Sequence, residues 1–358
     1  MSLEKLDIYR VRNIDYASIL PTPGINFIYG NNGSGKSALL DALFILGRAR
    51  SFRSNSVKQV IQFNQPDLIV SAKLKHHNLS SASLGVQLGL KSKTIHLNQQ
   101  EIYTRAELAY AFPVQIIQPK SYLLLDAGPQ FRREFMDWGV FNMHRDFLTV
   151  WQNFKIALSQ RNALLKKHDI KQINVWNQEL VQYGTILAEY RQQYLSLLEP
   201  LVKHISDIFI KINTPEIKFV TGWDNSRSYL DCLQQDLEKD LKFGYTQSGP
   251  HRGDFVLYSE GRVAKDFVSR GQLKALVLTL MLAQVKLLKT ELSQEVCLLI
   301  DDISSEFDFD NRCKLLSFLS QLDNQVFITT NEFKEFGDIN LSVQHKVFHV
   351  EHGKIKLM

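Results

Sequence analysis

The chain has 358 residues, 44 % of them apolar and 22 % charged, with Gly 18 and Pro 9, which is room for about two domains with full cores and excludes a disordered or fibrous chain. A formal net charge of +5 and a pI near 8.9 tilt it toward polyanionic partners without a histone-like excess. Met1 to Arg10 hold no apolar signal core, no uninterrupted apolar stretch approaches the ~18 residues of a membrane span, and Cys232, Cys297 and Cys313 fit neither a disulfide framework nor zinc spacing, so a cytoplasmic protein without a membrane role is expected.

Ile25 to Tyr29, apolar but for Asn26, predicts a short buried strand. It runs into Gly30-Asn31-Asn32-Gly33-Ser34-Gly35-Lys36-Ser37, a match to G-x-x-x-x-G-K-[ST], and Leu39, Leu40, Leu43 and Leu46 then predict a helix. Such a loop turns successive backbone N–H groups inward and ends on a helix N-terminus, where partial positive charge meets phosphates. Gly30 through Ala38 are therefore candidate nucleotide-binding residues, with Lys36 reaching the β/γ oxygens and Ser37 a Mg²⁺. A basic cluster, Arg48, Arg50, Arg53 and Lys58, follows that helix.

Alternation at Leu68, Val70, Ala72 and Leu74, at Leu84, Val86, Leu88 and Leu90, and at Ile95 and Leu97 predicts an antiparallel meander. Further on, Phe147, Trp151, Phe154, Leu158 and Leu165, with Arg161 in one slot, and then Trp176, Leu180, Tyr183, Leu187, Tyr190, Tyr194 and Leu197 recur at heptad a/d spacing. Two helices joined near Lys167 to Ile173 form an antiparallel hairpin with arms of about 30 Å. Its tip carries Lys166-Lys167-His168, and Lys73 to His77 form another basic strand end. Asp254 to Tyr258 and Arg262 to Phe267 predict a β-hairpin. Ser269-Arg270-Gly271-Gln272 then opens a long apolar helix, placing a Ser and a Gly at a second anion-attracting N-terminus. Finally, Val296 to Ile300 is an apolar strand that delivers Asp301 and Asp302 at its carboxyl edge, where Asp301 would hold Mg²⁺ and Asp302 could act as a general base on water.

In this order and spacing the residues resemble the ATP-binding-cassette (ABC) ATPases, and in particular their DNA-repair branch with the SMC and RecF proteins. Ser269 to Gln272 resembles the family's signature, 32 residues before the acidic strand. Ser305-Glu306-Phe307-Asp308 resembles its D-loop, and Val326 to Thr330 resembles its last strand and switch. Two stretches narrow the resemblance to the RecF family: Phe131-Arg132-Arg133-Glu134-Phe135-Met136-Asp137-Trp138-Gly139-Val140-Phe141 is similar to its R-R-x-F-L-D-W-G-V-F, and Thr246-Gln247-Ser248-Gly249-Pro250-His251-Arg252-Gly253-Asp254 to its T-x-x-G-P-H-R-x-D. The resemblance spans Leu3 to about Leu357.

It implies an α/β fold, an ABC-type P-loop ATPase head with an antiparallel β subdomain, plus a helical lobe bearing a short antiparallel coiled-coil hairpin. Residues 1–120 would form the first lobe, 121–243 the helical lobe, and 244–358 the signature segment and second half of the head. The resemblance further implies ATP and Mg²⁺ as cofactors, an ATP-dependent homodimer in which Ser269, Arg270, Gly271 and Gln272 face the partner's ATP, and binding to double-stranded or gapped DNA. Such proteins act with RecR and RecO at single-strand gaps and help place RecA. Gln118, with Gln115 as its rival, is the candidate Q-loop glutamine. The family's catalytic Glu is Asp302 here and its switch His is Thr330, which implies a weak ATPase. Arg48, Arg50, Arg53 and Lys58 are the favoured DNA contacts, with His251 and Arg252 as alternatives. A transporter's nucleotide-binding subunit would carry the switch His and a Glu after Asp301, and an SMC-like tether would need a coiled coil longer by an order of magnitude.

Overall fold

The computed structural model describes residues 2–75, 80–210, 215–302, 307–336 and 344–358. The chain divides into two units, one of Met1–Ser121 with Leu288–Met358 and the other of Tyr122–Leu287.

In the first unit, β3 (Ile25–Tyr29), β8 (Val114–Ile117), β12 (Cys297–Ile300), β13 (Val326–Thr330), β14 (His345–Glu351) and β15 (Lys354–Leu357) form one sheet in the order β15-β14-β3-β13-β12-β8. All neighbours are parallel except the β14/β15 hairpin. The central strands β12 and β13 are buried at every position, as a parallel sheet covered on both faces requires. Asn26, the polar residue in β3, is satisfied locally: its amide exchanges hydrogen bonds with the Thr22 backbone at 2.8 and 2.9 Å.

A second, antiparallel sheet runs β2-β1-β4-β5-β6-β7, from β1 (Ser2–Val11), β2 (Ile14–Ile19), β4 (Asp67–Lys75), β5 (Ser81–Gly89), β6 (Lys93–Leu97) and β7 (Gln100–Ile102). Helix α1 (Lys36–Arg48) shares a core with this sheet's inner residues, Leu6, Ile8, Leu68, Val70, Leu84 and Val86 among them. Full burial of Leu39, Leu43 and Leu46 on it contributes roughly 1.5–3 kcal/mol each. Leu90 departs from the expected alternation: β5 ends at Gly89, and Leu90 stands in the turn, 62 % exposed. The short helix α2 (Arg105–Ala111), capped by Thr104, and α10 (Phe309–Leu322) complete the unit.

The second unit holds α3 (Leu123–Asp126), α4 (Pro129–Met143), α5 (Phe147–Lys167), α6 (Ile173–Phe209), α7 (Tyr229–Gln235), α8 (Leu237–Phe243) and α9 (Arg270–Leu292), whose last residues belong to the first unit. A three-stranded sheet, β11-β10-β9, joins them, built from β9 (Glu216–Val220), β10 (Asp254–Ser259) and a two-residue β11 (Arg262–Val263). Helix α9 is long and apolar enough by length and composition to cross a membrane, yet 72 % of its most apolar window is buried within the protein.

The expected hairpin is α5 and α6, of 21 and 37 residues, so the second arm is longer than its partner, at about 55 Å against 31 Å. The seam differs from the heptad reading in alternate slots. Leu180, Leu187 and Tyr194 are buried as expected, but Asn177, Gly184 and Arg191 fill the intervening slots where Trp176, Tyr183 and Tyr190 were expected. Leu198 replaces Leu197, and on α5 Val150 and Ala157 replace Trp151 and Leu158. The cause is polar. The fully buried Arg161 on α5 bonds Asn177 Oδ1 at 2.7 Å, Asp240 Oδ2 at 2.6 Å, Thr246 Oγ1 at 2.8 Å and the Leu233 carbonyl at 3.2 Å. Arg191 holds Asp137 with two donors and the Pro250 carbonyl at 2.6 Å. At Gly184 a β-carbon would stand 2.7 Å from the Tyr229 ring, so only glycine admits that close approach. Rotation of the helices toward these groups leaves the aromatic stripe on the flank.

The two RecF-like segments are partners within this unit. Arg132 grips Asp254 through two donors, at 2.7 and 2.9 Å, and Arg133 donates to the Gly253 carbonyl at 2.9 Å. His251 is turned inward against Phe154, with Nε2 3.0 Å from the Thr246 carbonyl, and burial pushes its pKa down to about 4. That removes His251 as a DNA contact, because it is neutral at physiological pH and faces the interior.

Removing Arg161 strands the buried Asp240 carboxylate. Arg161→Met is expected to lower stability by about 3–5 kcal/mol in urea denaturation of the full chain; a loss below about 1 kcal/mol would show that the buried guanidinium does not organise the hairpin.

Candidate functional site

Strand β3 ends at Tyr29, and the next six residues wrap the N-terminus of α1. Gly30 has φ 153°, and a β-carbon there would stand 2.2 Å from the Val350 carbonyl oxygen of β14. Gly35, at φ 122°, is pressed in the same way against the Asn13 side chain. The loop's carbonyls are bound from outside: Ser34 O accepts from Gly353 N at 2.8 Å and from Asn13 Nδ2 at 3.1 Å, and Gly33 O accepts from the same amide at 3.3 Å. With its carbonyls so engaged, the loop is left to present N–H groups to an anion. Ser34 Oγ is buried without a hydrogen bond among the described residues, an unsatisfied polar atom suited to a phosphate oxygen.

Lys36 is buried, its Nζ 2.5 Å from Gly30 O, 3.1 Å from Asn31 O and 3.1 Å from Asn331 Oδ1. Asn331 escaped the sequence reading. The expected switch residue, Thr330, is fully buried in β13 with its hydroxyl on the Glu332 carbonyl, so the side chain that reaches the lysine belongs to the next residue. The signal that could have found it is strand phase: β13 pairs Thr330 with Tyr29, and the residue after that pair is the first to clear the sheet edge beside the loop.

Asp301 stands at the carboxyl end of β12, its amide continuing the ladder to Ile117 O at 2.8 Å. Its Oδ1 accepts from Ser37 Oγ at 3.1 Å and from Thr329 Oγ1 at 2.8 Å. Thr329 in turn accepts from Asp302 N at 2.8 Å. Burial pushes the Asp301 carboxyl above its ordinary pKa, against the Thr329 and Ser37 hydroxyls and the field of Arg53, and Asp302 adds to the rise. A half-buried carboxylate and a hydroxyl 3.1 Å apart fit Mg²⁺, whose neighbouring octahedral ligands at 2.0–2.1 Å stand about 2.9 Å from one another. Asp302 adopts left-handed φ 53°, which a short acid tolerates, and there the chain leaves the strand.

The glutamine rivals separate by position. Gln115 is buried inside β8 opposite Leu298, whereas Gln118 follows the strand's last residue, beside the end of β12, with its backbone tied to Ser121. In the other unit Ser269 is the N-terminal cap of α9: its hydroxyl accepts from Gln272 N at 3.2 Å and Gln272 Oε1 accepts from Ser269 N at 2.9 Å, a reciprocal capping box. Ser269, Arg270 and Gly271 are exposed around it. Asp308 caps α10 through Asn311 N at 2.8 Å, while Ser305 lies outside the described residues.

The basic cluster divides. Arg48 is set apart by its half-buried position: its Nη2 donates to the Val114 carbonyl at 3.1 Å, and burial, with the Arg50 charge, pushes its pKa down to about 9. Arg50, Arg53 and Lys58 are exposed. Their loop is anchored on α1: the fully buried Asp41 accepts from Arg12 Nε at 2.8 Å, Ser51 Oγ at 2.8 Å and Phe52 N at 3.1 Å. Of the other basic candidates, His76 and His77 lie outside the described residues.

A phosphate loop and an acidic strand end joined across one parallel sheet define the class, a P-loop head of the SMC type. Residues 2–356 match the family described as RecF/RecN/SMC N terminal domain. The DNA replication and repair protein RecF of Shewanella denitrificans is 38 % identical over 360 residues, covering 100 % of both chains. A solved structure described as the recombination mediator protein RecF with ATP, in the RecFOR pathway, superposes with TM-score 0.87 at 25 % identity, covering 99 % of this chain and 97 % of that one. The Smc head domain of Pyrococcus furiosus, at 15 % identity and TM-score 0.62, shares the fold. The chain belongs to the RecF family of DNA replication and repair proteins, within the wider RecF/RecN/SMC group.

Lys36→Met is expected to abolish ATP binding in calorimetry while the protein stays folded, since Lys36 would supply the point charge for the β/γ oxygens. Unchanged affinity would remove Gly30 to Ser37 as the nucleotide site.

Proposed function

We propose that this protein is an ATP-dependent DNA-binding protein of recombinational repair and replication restart, working in the cytoplasm at single-strand gaps with partners like RecR and RecO to help load RecA. The observation that carries the ATP-dependent part is the meeting of Ser37 and Thr329 on one oxygen of Asp301, beside Lys36. Ser37 and Asp301 would hold Mg²⁺, which when bound neutralises charge on the β/γ phosphates. Gly30 to Ala38 cradle the phosphates, and Lys36 exchanges its carbonyl and Asn331 partners for phosphate oxygens. Gln118 lies where the third strand end adjoins Asp301. Asp302 orients water and accepts its proton. The shorter side chain of Asp, and Asn331 in place of a histidine, favour slow turnover, so the ATP-bound state persists.

Persistence matters because that state is proposed to be a dimer. The exposed Ser269 and the first-turn N–H groups of α9 form an anion-attracting edge on one unit, while the phosphate loop is on the other. In a two-fold pair each Ser269, with Arg270, Gly271 and Gln272 around it, faces the ATP bound at its partner's Lys36, so two nucleotides seal one isologous interface. Arg50, Arg53 and Lys58 then contribute to holding DNA phosphates.

Ser269→Arg is expected to keep ATP binding and lose ATP-dependent dimerisation in light scattering. A wild type that stays monomeric when saturated with ATP and Mg²⁺, or a variant that dimerises equally well, would overturn the dimer. Asp302→Asn should bind ATP normally and hydrolyse it at least about 100-fold more slowly, as loss of a general base requires; hydrolysis at the wild-type rate would reassign the base.

A further inference from the structure

The second unit carries a basic surface that the nucleotide site does not use. Helix α8 ends at Phe243, and Gly244, at φ 73°, turns the chain so that Phe243 and Tyr245 both stand in solvent, 50 % and 41 % exposed. Their ring centroids are 6.1 Å apart with planes tilted by 41°. The Arg252 guanidinium lies 5.3 Å from the Tyr245 ring centroid. The end of α5 comes to the same place, since a β-carbon on Gly244 would stand 3.3 Å from Lys166 Cγ. Lys166 and Lys167 close α5, Lys171 follows, and Lys239 and Lys242 project from α8; all are exposed. Lys239, Lys242 and Phe243 share one helix face by their spacing. Against these cations stand Asp169 and Glu238, because the third carboxylate of these segments, Asp240, is buried on Arg161.

Lysines at the end of a helix are ordinary, and alone they would suit any phosphate. Two exposed aromatic rings among them are not ordinary, and they discriminate. The bases of a duplex are stacked on each other and cannot reach a protein ring, whereas an unpaired strand offers base faces and phosphates together. We propose that this surface is a site for single-stranded DNA, with bases stacking on Phe243 and Tyr245 while Lys166, Lys167, Lys242 and Arg252 hold the phosphates. The inference rests on the reading of the chain as a DNA-binding protein and deepens it: the hairpin end reads the unpaired strand of a gap.

The test uses the full chain with saturating ATP and Mg²⁺, a labelled oligo(dT) of about 30 nucleotides and a blunt duplex of about the same length, with binding followed by anisotropy across salt. Phe243→Ala combined with Tyr245→Ala should weaken oligo(dT) binding about tenfold or more and leave duplex affinity within about twofold. Phe243→Trp should retain oligo(dT) binding. Lys166→Glu with Lys167→Glu should weaken oligo(dT) binding and flatten its salt dependence. Circular dichroism of each variant reports the fold, and both rings lie at the surface. Equal losses on the two probes, or no loss on oligo(dT), would overturn the stacking site. A wild type that holds the duplex but not oligo(dT) overturns this inference alone; one that holds neither overturns the DNA-binding reading as well.

Discussion

One carboxylate oxygen joins the candidate nucleotide site. Asp301 Oδ1 receives Ser37 from the phosphate loop and Thr329 from the strand between them, although Ser37 and Asp301 are 264 residues apart in the chain. The sheet order makes this possible: β13 lies between β3 and β12, so its Thr329 hydroxyl spans the gap and carries the register of one edge to the other. Burying a carboxylate is costly unless it is hydrogen-bonded or paired. Here two hydroxyls supply part of that compensation, and a divalent cation would supply the rest. The unit is thereby poised to gain from metal and nucleotide together.

The second unit depends on arginines. Arg132, Arg161 and Arg191 are each buried and each engaged by a carboxylate and at least one backbone carbonyl. Such groups add little net stability over a well-packed apolar core, but each fixes geometry, because breaking one leaves a buried charge. This is why the segments 131–141 and 246–254 occur together. Arg132 and Arg133 hold Asp254 and Gly253, and Arg191 ties Asp137 to Pro250. They are two halves of one lock that shapes the unit carrying the signature cap.

The phosphate loop, its helix, the acidic strand end and the Ser269 cap were legible in the sequence, because each is a local pattern whose residues are demanded by backbone geometry. Groups brought together by tertiary contact were not. Asn13 and the β14/β15 hairpin, which clasp the loop, lie in turns with no motif of their own. Asn331, which accepts from Lys36 Nζ, lies one residue beyond Thr330, the position expected for the switch. The hairpin seam was misread in alternate slots for a related reason: hydropathy assigns the inside to Trp176, Tyr183 and Tyr190, while the fold gives it to Asn177, Gly184 and Arg191, whose polar partners come from other elements. Arg48 shows the same limit, since a cation next to exposed cations looks like surface until its carbonyl partner on Val114 is seen.

The proposed function couples nucleotide binding to DNA. The link within the first unit is physical: buried Asp41 on the phosphate-loop helix pins the loop bearing Arg50 and Arg53, and Arg53 lies close enough for its charge to act on Asp301. Duplex affinity measured by anisotropy with ATP and Mg²⁺, and again without nucleotide, at several salt concentrations, tests this most directly. The account predicts markedly tighter, salt-sensitive binding with ATP and Mg²⁺. Affinity that is the same in both conditions would contradict it.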